Sequence, residues 1–304
     1  MNITITGATG FIGRRLIERL ARDRHQLHAL SRRTNVKFGD TAVWISKWDP
    51  MTEEPPDESL VNADAIVHLA GEPVAQRWTA EAKKKILESR VQGTRRLVQA
   101  LSTRSRRPAA LICASAIGIY GSRGDQTLTE SSAPAGDYLA EVCKEWENQA
   151  GLAESLGIRV ARIRIGIVLG TGGGALEKML PPFKAFVGGR IGSGKQWMSW
   201  IHVDDLVGII CHALANPMSG VFNGTAPNPV TNSDFTAKLA AALGRPALFP
   251  VPAFALKIMF GEMAGMLLGS QRVLPRATEA GGYRFQYPEL GEALRDILRG
   301  GSAF

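Results

Sequence analysis

The segment NITITGATGFIG, residues 2–13, constrains the fold of this chain most, because a short apolar run leads directly into a glycine-rich turn. The three glycines of the turn are Gly7, Gly10 and Gly13. The segment that follows repeats apolar residues at Ile12, Leu16 and Leu20 with charges between them, which indicates an amphipathic helix. A turn of this kind lets a pyrophosphate approach the backbone and the helix N-terminus. The segment therefore predicts the first strand, turn and helix of a dinucleotide-binding unit.

Short apolar runs alternate with helical patterns through the first two-thirds of the chain. The runs are NITIT, QLHALS, AVWIS, AIVHLAG, ALICASA and RVARIRIGIVLG. Amphipathic segments lie between them, and residues 80–101 form a long one. Strands that alternate with helices predict a parallel sheet with right-handed crossovers. The predicted fold class is therefore α/β, a Rossmann-type doubly wound parallel sheet.

The residues after the second predicted strand indicate which dinucleotide the turn binds. An acidic residue at that point would hydrogen-bond an adenosine ribose hydroxyl and repel a phosphate. This chain has Ser31, Arg32 and Arg33 there instead. A hydroxyl beside guanidinium groups suits a 2′-phosphate, because arginine binds phosphate in a bidentate fork. We predict NADP(H) as the cofactor in preference to NAD(H); a solvated basic loop is the alternative.

The character of the sequence changes at two points, which predicts two domains. Residues 171–199 are rich in Gly, Met, Pro and aromatics without clear alternation, and the chain is mostly helical from about residue 227. We predict an NADP-binding Rossmann domain of residues 1–170 and 200–226. A smaller, mostly helical substrate-side domain would comprise residues 171–199 and 227–304. Its apolar residues either line a substrate pocket or pack the C-terminal helices. They are Met179, Leu180, Phe183, Trp197 and Met198.

The net charge of +8 suits anionic partners, which include phosphorylated ligands, nucleic acid and membrane surfaces. The basic residues are scattered and not interleaved with aromatics, which argues against nucleic acid. Residues 251–269 are the most membrane-like stretch, but they contain Lys257 and Glu262. We expect a buried or substrate-lining helix there rather than a membrane span. The predicted partner is a small anionic substrate, with no nucleic acid and no membrane.

The cysteines indicate the redox compartment. Cys113, Cys143 and Cys211 lie far apart, without a CxxC pair or a nearby histidine cluster. This argues against a disulfide framework or a zinc site and for a reducing compartment. The N-terminal residues also lack the basic and then apolar layout of a signal peptide. We expect a cytoplasmic protein without a bound metal, and the oligomeric state stays open, a homodimer included.

Several motifs together resemble a known family. They are TGATGFIG at the start, LAG after the fourth strand, SAIGIYG after the fifth, RIGIVLG and IHVDDL. In this order they resemble the extended short-chain dehydrogenase/reductases of the NAD-dependent epimerase/dehydratase superfamily. The segments LAGEPVAQRW, ESRVQGTRRLVQAL, CKEWE and GSQRVLP are similar to those of bacterial epimerase-family proteins related to a human atypical short-chain dehydrogenase. The resemblance spans essentially the whole chain.

This resemblance implies a set of cofactor contacts. Those to the pyrophosphate would be Gly7, Thr9, Gly10, Phe11, Ile12 and Gly13. Ser31 and Arg32 would bind the 2′-phosphate. The residues along the adenosine and ribose would be Leu69, Ala70 and Gly71. Arg90 occupies a slot that often carries Asn before V-x-G-T and would reach the ribose or the phosphates, and Ile165 would border the nicotinamide.

The catalytic groups that the resemblance implies are only partly present. The superfamily uses a Tyr as general acid/base and a Lys four residues later on the same helix face. Here Ala140 stands four residues before Lys144, and Tyr138 lies six residues before it. The hydroxyl expected at Ala116 is displaced to Ser115, and a one-residue shift on a strand turns the side chain to the other face. The candidate catalytic residues are Tyr138 as proton donor, Ser115 and Lys144.

Two functions follow from these observations. The first is an NADP(H)-dependent oxidoreductase or epimerase-like enzyme acting on a small substrate. The second is a catalytically impaired NADP(H)-binding protein that senses redox state or binds a partner. The missing Tyr-x-x-x-Lys pair favours the second, whereas the pocket-forming residues 171–199 favour the first. We favour the enzyme.

Overall fold

The computed structural model describes residues 1–300. Its strands are β1 (Asn2–Thr6), β2 (Gln26–Ser31), β3 (Trp44–Lys47), β4 (Ala65–His68), β5 (Ala110–Ala116), β6 (Thr127–Leu128), β7 (Arg159–Ile165), β8 (Ile167–Leu169), β9 (Trp197–Met198), β10 (Trp200–His202), β11 (Gly220–Gly224), β12 (Val230–Thr231) and β13 (Arg272–Val273). Its helices are α1 (Phe11–Arg22), α2 (Ala80–Ser102), α3 (Tyr138–Gly151), α4 (Gly174–Lys184), α5 (Val203–Ala215), α6 (Asn232–Leu243), α7 (Ala253–Phe260), α8 (Ala264–Leu268), α9 (Arg276–Ala280) and α10 (Leu290–Gly300).

Seven of the strands form one sheet in the order β11, β7, β5, β4, β1, β2, β3. All six pairings in it are parallel. The strand order reverses between β1 and β4, and in open α/β sheets ligands bind at such a point, outside the carboxyl ends of the strands. The doubly wound parallel sheet predicted from the sequence is confirmed.

The sheet is covered on both faces because its strands carry apolar residues on alternate sides. Ile3 and Ile5 of β1 pack with Leu16 of α1 in one buried cluster. Ile66 of β4 and Leu97 of α2 belong to a second cluster. Helices α1 and α5 contact each other, as do α2 and α3. Burial on both faces explains why the strands appear in the sequence as short apolar runs.

A third buried cluster lies in the C-terminal part, around α4, α6 and α10. Phe183 and Met198 pack there with Phe235, Leu239 and Leu294. Met179 and Leu180 lie half-buried against the same cluster. Four of the five apolar residues predicted for the pocket thus pack the C-terminal helices. The proposed domain boundaries stay a prediction.

The structure corrects the expectation of one buried helix at residues 251–269, whereas the substrate-lining alternative stays a prediction. Helices α7 and α8 occupy this stretch, separated by a turn of 3-10 helix at Gly261–Met263. Leu256 is the buried residue of α7, whereas Phe254 is 67% and Ile258 73% exposed. Across residues 1–300, no helix is both long and apolar enough to span a membrane.

Candidate functional site

The glycine turn between β1 and α1 is shaped by close packing. Gly7 has a positive φ of 67°, and a Cβ on it would lie 2.6 Å from the carbonyl carbon of Leu69. A Cβ on Gly13 would lie 2.4 Å from the carbonyl oxygen of Gly7. The Gly10 N–H donates to that same oxygen at 3.0 Å. Any side chain at Gly7 or Gly13 would therefore force the turn apart.

The N-terminus of α1 is open to an anion. Gly10 precedes the helix and has no side chain to cap it, and the first turn carries no acidic residue. The first N–H groups of a helix without a cap attract negative charge. Arg14 supports the turn from outside, since its Nε donates to the Thr9 carbonyl at 3.2 Å and its Nη1 to the Lys37 carbonyl at 3.1 Å. Arg14, one position after Gly13, was not among the contacts predicted from the sequence.

The basic residues after β2 lie where the sequence placed them. Ser31 ends the strand, is 8% exposed, and its Oγ accepts a hydrogen bond from the Arg33 N–H at 3.2 Å. Arg32 is exposed, and within residues 1–300 its guanidinium has no hydrogen-bond or ion-pair partner. An unpaired guanidinium in this position fits a phosphate monoester. The Ser31 hydroxyl is fixed to the backbone, so Arg32 is the stronger of the two phosphate candidates.

Buried side chains fix the segment after β4, which comprises the predicted adenosine contacts Leu69, Ala70 and Gly71. The Thr6 hydroxyl accepts from the Leu69 and Ala70 N–H groups, each at 3.1 Å. It also contacts Nδ1 of His68 at 2.7 Å, and His68 Nε2 contacts the Thr94 hydroxyl at 3.0 Å. Burial lowers the pKa of His68 to about 4, so the ring is neutral at pH 7. His68 is a positioning residue that no sequence motif indicated.

Arg90 lies beside Gly71 and has no carboxylate partner within residues 1–300. Its Nη1 donates to the carbonyls of Glu72 at 3.0 Å and Ile86 at 3.1 Å. Its Cζ lies 5.0 Å from the centre of the Trp146 ring. A Cβ on Gly71 would lie 3.0 Å from that Cζ. Burial lowers the pKa of Arg90, so the cation gains from a neighbouring anion.

The three candidate catalytic side chains have separate partners. Ser115 is 2% exposed, and its Oγ donates to Glu147 Oε1 at 2.6 Å. The Tyr138 hydroxyl donates to the Lys83 carbonyl at 2.7 Å, and burial raises its pKa. The Lys144 ammonium pairs with Glu141 at 2.5 Å. The structure therefore does not bring the three side chains together.

Helix α3 presents Leu139 and Cys143 to the end of β5. A Cβ on Gly118, in the turn after that strand, would lie 3.3 Å from Leu139 Cβ and 3.9 Å from Cys143 Sγ. Burial raises the pKa of the Cys143 thiol to about 11, so it stays protonated at pH 7. The pair of positions spaced four apart on this face is thus 139 and 143, one residue before the pair formed by Ala140 and Lys144. Leu139 and Cys143 supply neither a phenol nor an ammonium group.

A buried polar network lies below this part of the site. Arg164 binds both Glu147 oxygens, with Nε and Nη2 each at 2.8 Å. Its Nη1 donates to the Tyr120 hydroxyl at 2.9 Å, and that hydroxyl donates to Asn223 Oδ1 at 2.7 Å. Through Ser115 the network joins β5, α3, β7 and β11. These contacts favour a structural role for the Ser115 hydroxyl.

Comparison with protein families identifies two regions of the chain. Residues 3–225 match the model of the "NAD dependent epimerase/dehydratase family". Residues 251–297 match a "Domain of unknown function (DUF1731)". The first region contains the glycine turn, Arg32, Arg90 and α3, and the second contains α7 and α8.

Three relatives illustrate the similarity. "Epimerase family protein SDR39U1 homolog, chloroplastic" of Arabidopsis thaliana is 45% identical over 306 residues, which cover 98% of this chain and 87% of that protein. "Epimerase family protein YfhF" of Bacillus subtilis is 39% identical over 303 residues and 98% of both chains. The crystal structure of human epimerase family protein SDR39U1 (isoform 2) with NADPH has a TM-score of 0.89 and 36% identity. It covers 98% of this chain and 99% of the human one.

Proposed function

Because this chain belongs to the NAD dependent epimerase/dehydratase family, we propose that it binds NADP(H) and transfers hydride as an oxidoreductase or epimerase-like enzyme. Its substrate would be a small anionic molecule. The observation that carries the proposal is the turn between β1 and α1, where Gly7 and Gly13 leave no room for a side chain beneath an uncapped helix N-terminus. This arrangement suits a pyrophosphate.

The residues present fit the phosphates of NADP(H). The turn and the first N–H groups of α1 would hold the pyrophosphate, and Arg32 would hold the 2′-phosphate. Arg90, whose partners are backbone carbonyls, would bind the ribose or the phosphates. The NADPH in the human relative's crystal structure supports this choice of cofactor. When bound, NADPH supplies a hydride.

Tyr138 is the proton donor that we propose. Reduction of a carbonyl produces an alkoxide, which needs a proton or a cation. Burial raises the pKa of Tyr138, but the positive charge of Arg90 opposes this rise. Ser115 and Lys144 stay predictions, and their bonds to Glu147 and Glu141 make them weaker candidates. The Tyr138 hydroxyl would have to leave the Lys83 carbonyl to act.

A redox sensor without turnover is the second candidate function. It is favoured by the face of α3 that borders the end of β5, where Leu139 and Cys143 supply an alkyl group and a protonated thiol. Such a site could hold NADP(H) and respond to its redox state through a conformational change. It would lack a general acid/base of suitable pKa.

The two candidates are separated by oxidation of NADPH in the presence of carbonyl-containing metabolites, followed by absorbance. We expect turnover by the wild type and its loss in Tyr138→Phe. Tyr287→Phe is the matched control, because its ring stacks on His202 with centroids 4.0 Å apart and its N–H bonds Asp205, whereas the Tyr138 hydroxyl bonds the Lys83 carbonyl. An epimerase regenerates its cofactor and gives no net oxidation, so epimerisation of candidate substrates is followed separately by chromatography. A protein that binds NADPH but neither oxidises it with a carbonyl compound nor epimerises a substrate would support the sensor. Turnover that survives in Tyr138→Phe would remove Tyr138 from the mechanism.

We also infer a reducing compartment, the cytoplasm in the simplest case. All three cysteines are free, and Cys113 and Cys143 are buried. Burial raises the pKa of each thiol, which makes the thiolate scarce and oxidation slow. Fractionation of cells that produce the full chain would test this location.

A further inference from the structure

The exposed apolar side chains are concentrated in one region. Twelve large apolar side chains are exposed within residues 1–300, and eight of them lie in segments 186–187 and 248–266. The two segments adjoin, because the Phe249 N–H donates to the Gly188 carbonyl at 3.3 Å and the Val251 N–H to the Arg190 carbonyl at 2.8 Å. We call residues 184–195 together with 245–266 the basic apolar surface.

Helix α7 contributes its apolar side chains to this surface. Phe254 and Ile258, one helical turn apart, are 67% and 73% exposed, and Met259 is 61% exposed. Leu256 is the buried residue of α7. Contiguous exposed apolar side chains on a soluble domain mark an interaction site. A helix with this many exposed apolar side chains needs a partner that can cover them.

The charges of the surface identify the chemistry of that partner. The surface contains five Lys and Arg and one acidic residue, Glu262, whose carboxylate pairs with Lys83 of α2. Lys184, Arg190, Arg245 and Lys257 are exposed among the apolar side chains. The Arg245 guanidinium lies 4.4 Å from the centre of the Phe186 ring. The surface is therefore apolar and cationic at the same time, which suits an anionic partner with an apolar interior.

We propose that the basic apolar surface docks on an anionic lipid membrane. Phe254, Ile258 and Met259 would enter the layer between headgroups and acyl chains. Lys and Arg extend their charged ends to lipid phosphates while their alkyl stems stay in the apolar layer. A second copy of this chain fits less well, because two such surfaces would bring like charges together. The proposal is independent of NADP(H) binding.

This proposal revises the expectation that the chain has no membrane partner. That expectation concerned a helix that crosses the bilayer, which takes about 20 apolar residues. Helix α7 has 8 residues and is exposed along its apolar side, so it can lie in the plane of a membrane surface. The sequence could not separate burial in a core from exposure at the surface, because both need apolar residues.

The test is cosedimentation of the full chain with vesicles of equal parts phosphatidylglycerol and phosphatidylcholine, against vesicles of phosphatidylcholine alone. We expect binding to the anionic vesicles only, with release at high salt. The variant Lys184→Gln/Lys257→Gln should bind about 30-fold more weakly, since each cation near an anionic surface contributes about fivefold. The variant Phe254→Ser/Ile258→Ser should also lose binding, although both side chains are exposed and the fold should persist.

The matched control is Arg106→Gln/Arg276→Gln, which removes the same charge from side chains 59% and 67% exposed on other parts of the chain. It should bind anionic vesicles like the wild type, and NADPH affinity should be equal in all variants. Absence of vesicle binding, or an equal loss in the control variant, would overturn the proposal. A wild-type dimer in size-exclusion chromatography that Phe254→Ser/Ile258→Ser converts to monomer would assign the surface to a second copy instead.

Discussion

Replacement of Glu147 by Gln tests whether the buried network below the site holds the fold together. Glu147 is 8% and Arg164 6% exposed, and the two side chains share two bonds of 2.8 Å. Gln keeps the shape of Glu but removes its charge and turns an NH₂ group toward the guanidinium. Arg164 would then be a buried cation without a counter-charge, next to the Tyr120 hydroxyl.

The cost follows from that burial. Removing one member of a buried ion pair destabilises the folded state by about 3–5 kcal/mol. At about 2–4 °C per kcal/mol for a large domain, the melting temperature should fall by about 10 °C. The matched control is Glu81→Gln, which breaks the 2.6 Å pair with Lys85 on α2, where the side chains are 76% and 58% exposed. An exposed pair contributes less than about 1 kcal/mol, so this variant should melt close to the wild type.

Thermal unfolding followed by circular dichroism measures both variants, without NADPH and at one protein concentration. Ser115→Ala should cost about 1.5–3 kcal/mol, because it removes a buried hydrogen bond to the charged Glu147 carboxylate. A melting temperature of Glu147→Gln equal to that of Glu81→Gln would refute the structural role of the network.

Three further predictions concern the cofactor site. Gly13→Ala should weaken NADPH binding more than about tenfold in a fluorescence titration, since its Cβ would lie 2.4 Å from the Gly7 carbonyl oxygen; unchanged affinity would contradict the packing argument. The pKa of His68 falls from 6.5 to about 4 on folding, so stability is full above pH 6.5 and declines by about 3 kcal/mol toward pH 4. Urea unfolding at several pH values should show a smaller decline in His68→Gln, and an identical decline would refute this origin. Arg90→Gln should lower NADPH affinity about tenfold or more, because a charged hydrogen-bond donor is lost, and equal affinity would exclude Arg90 from the cofactor site.

The fold could be predicted from the sequence because its signals are local. Parallel strands that are covered on both faces appear as apolar runs, and helices between them appear as amphipathic segments. The glycine turn was also predictable, since Gly7 and Gly13 are required by contacts within the first strand, turn and helix and with the neighbouring strand.

The part of the candidate site where α3 borders the end of β5 was less predictable. The side chains that face β5 depend on the residue at which α3 begins. Asp137 caps that helix by accepting from the Ala140 N–H at 2.9 Å, and this start turns Leu139 and Cys143 toward β5. An error of one residue rotates a side chain by about 100° around a helix. Glu147 and Arg164 lie 17 residues apart, and only tertiary packing buries them together.

The relative affinity for NADPH and NADH tests the central claim most directly. We place the 2′-phosphate at Arg32, whose guanidinium has no hydrogen-bond or ion-pair partner in the described part of the chain. Isothermal titration should therefore give a Kd for NADPH at least about tenfold below that for NADH, as a charged hydrogen bond contributes about 1.5–3 kcal/mol. The preference should disappear in Arg32→Gln through weaker NADPH binding, with NADH unaffected. Equal affinities in the wild type, or no binding of either nucleotide, would contradict the account.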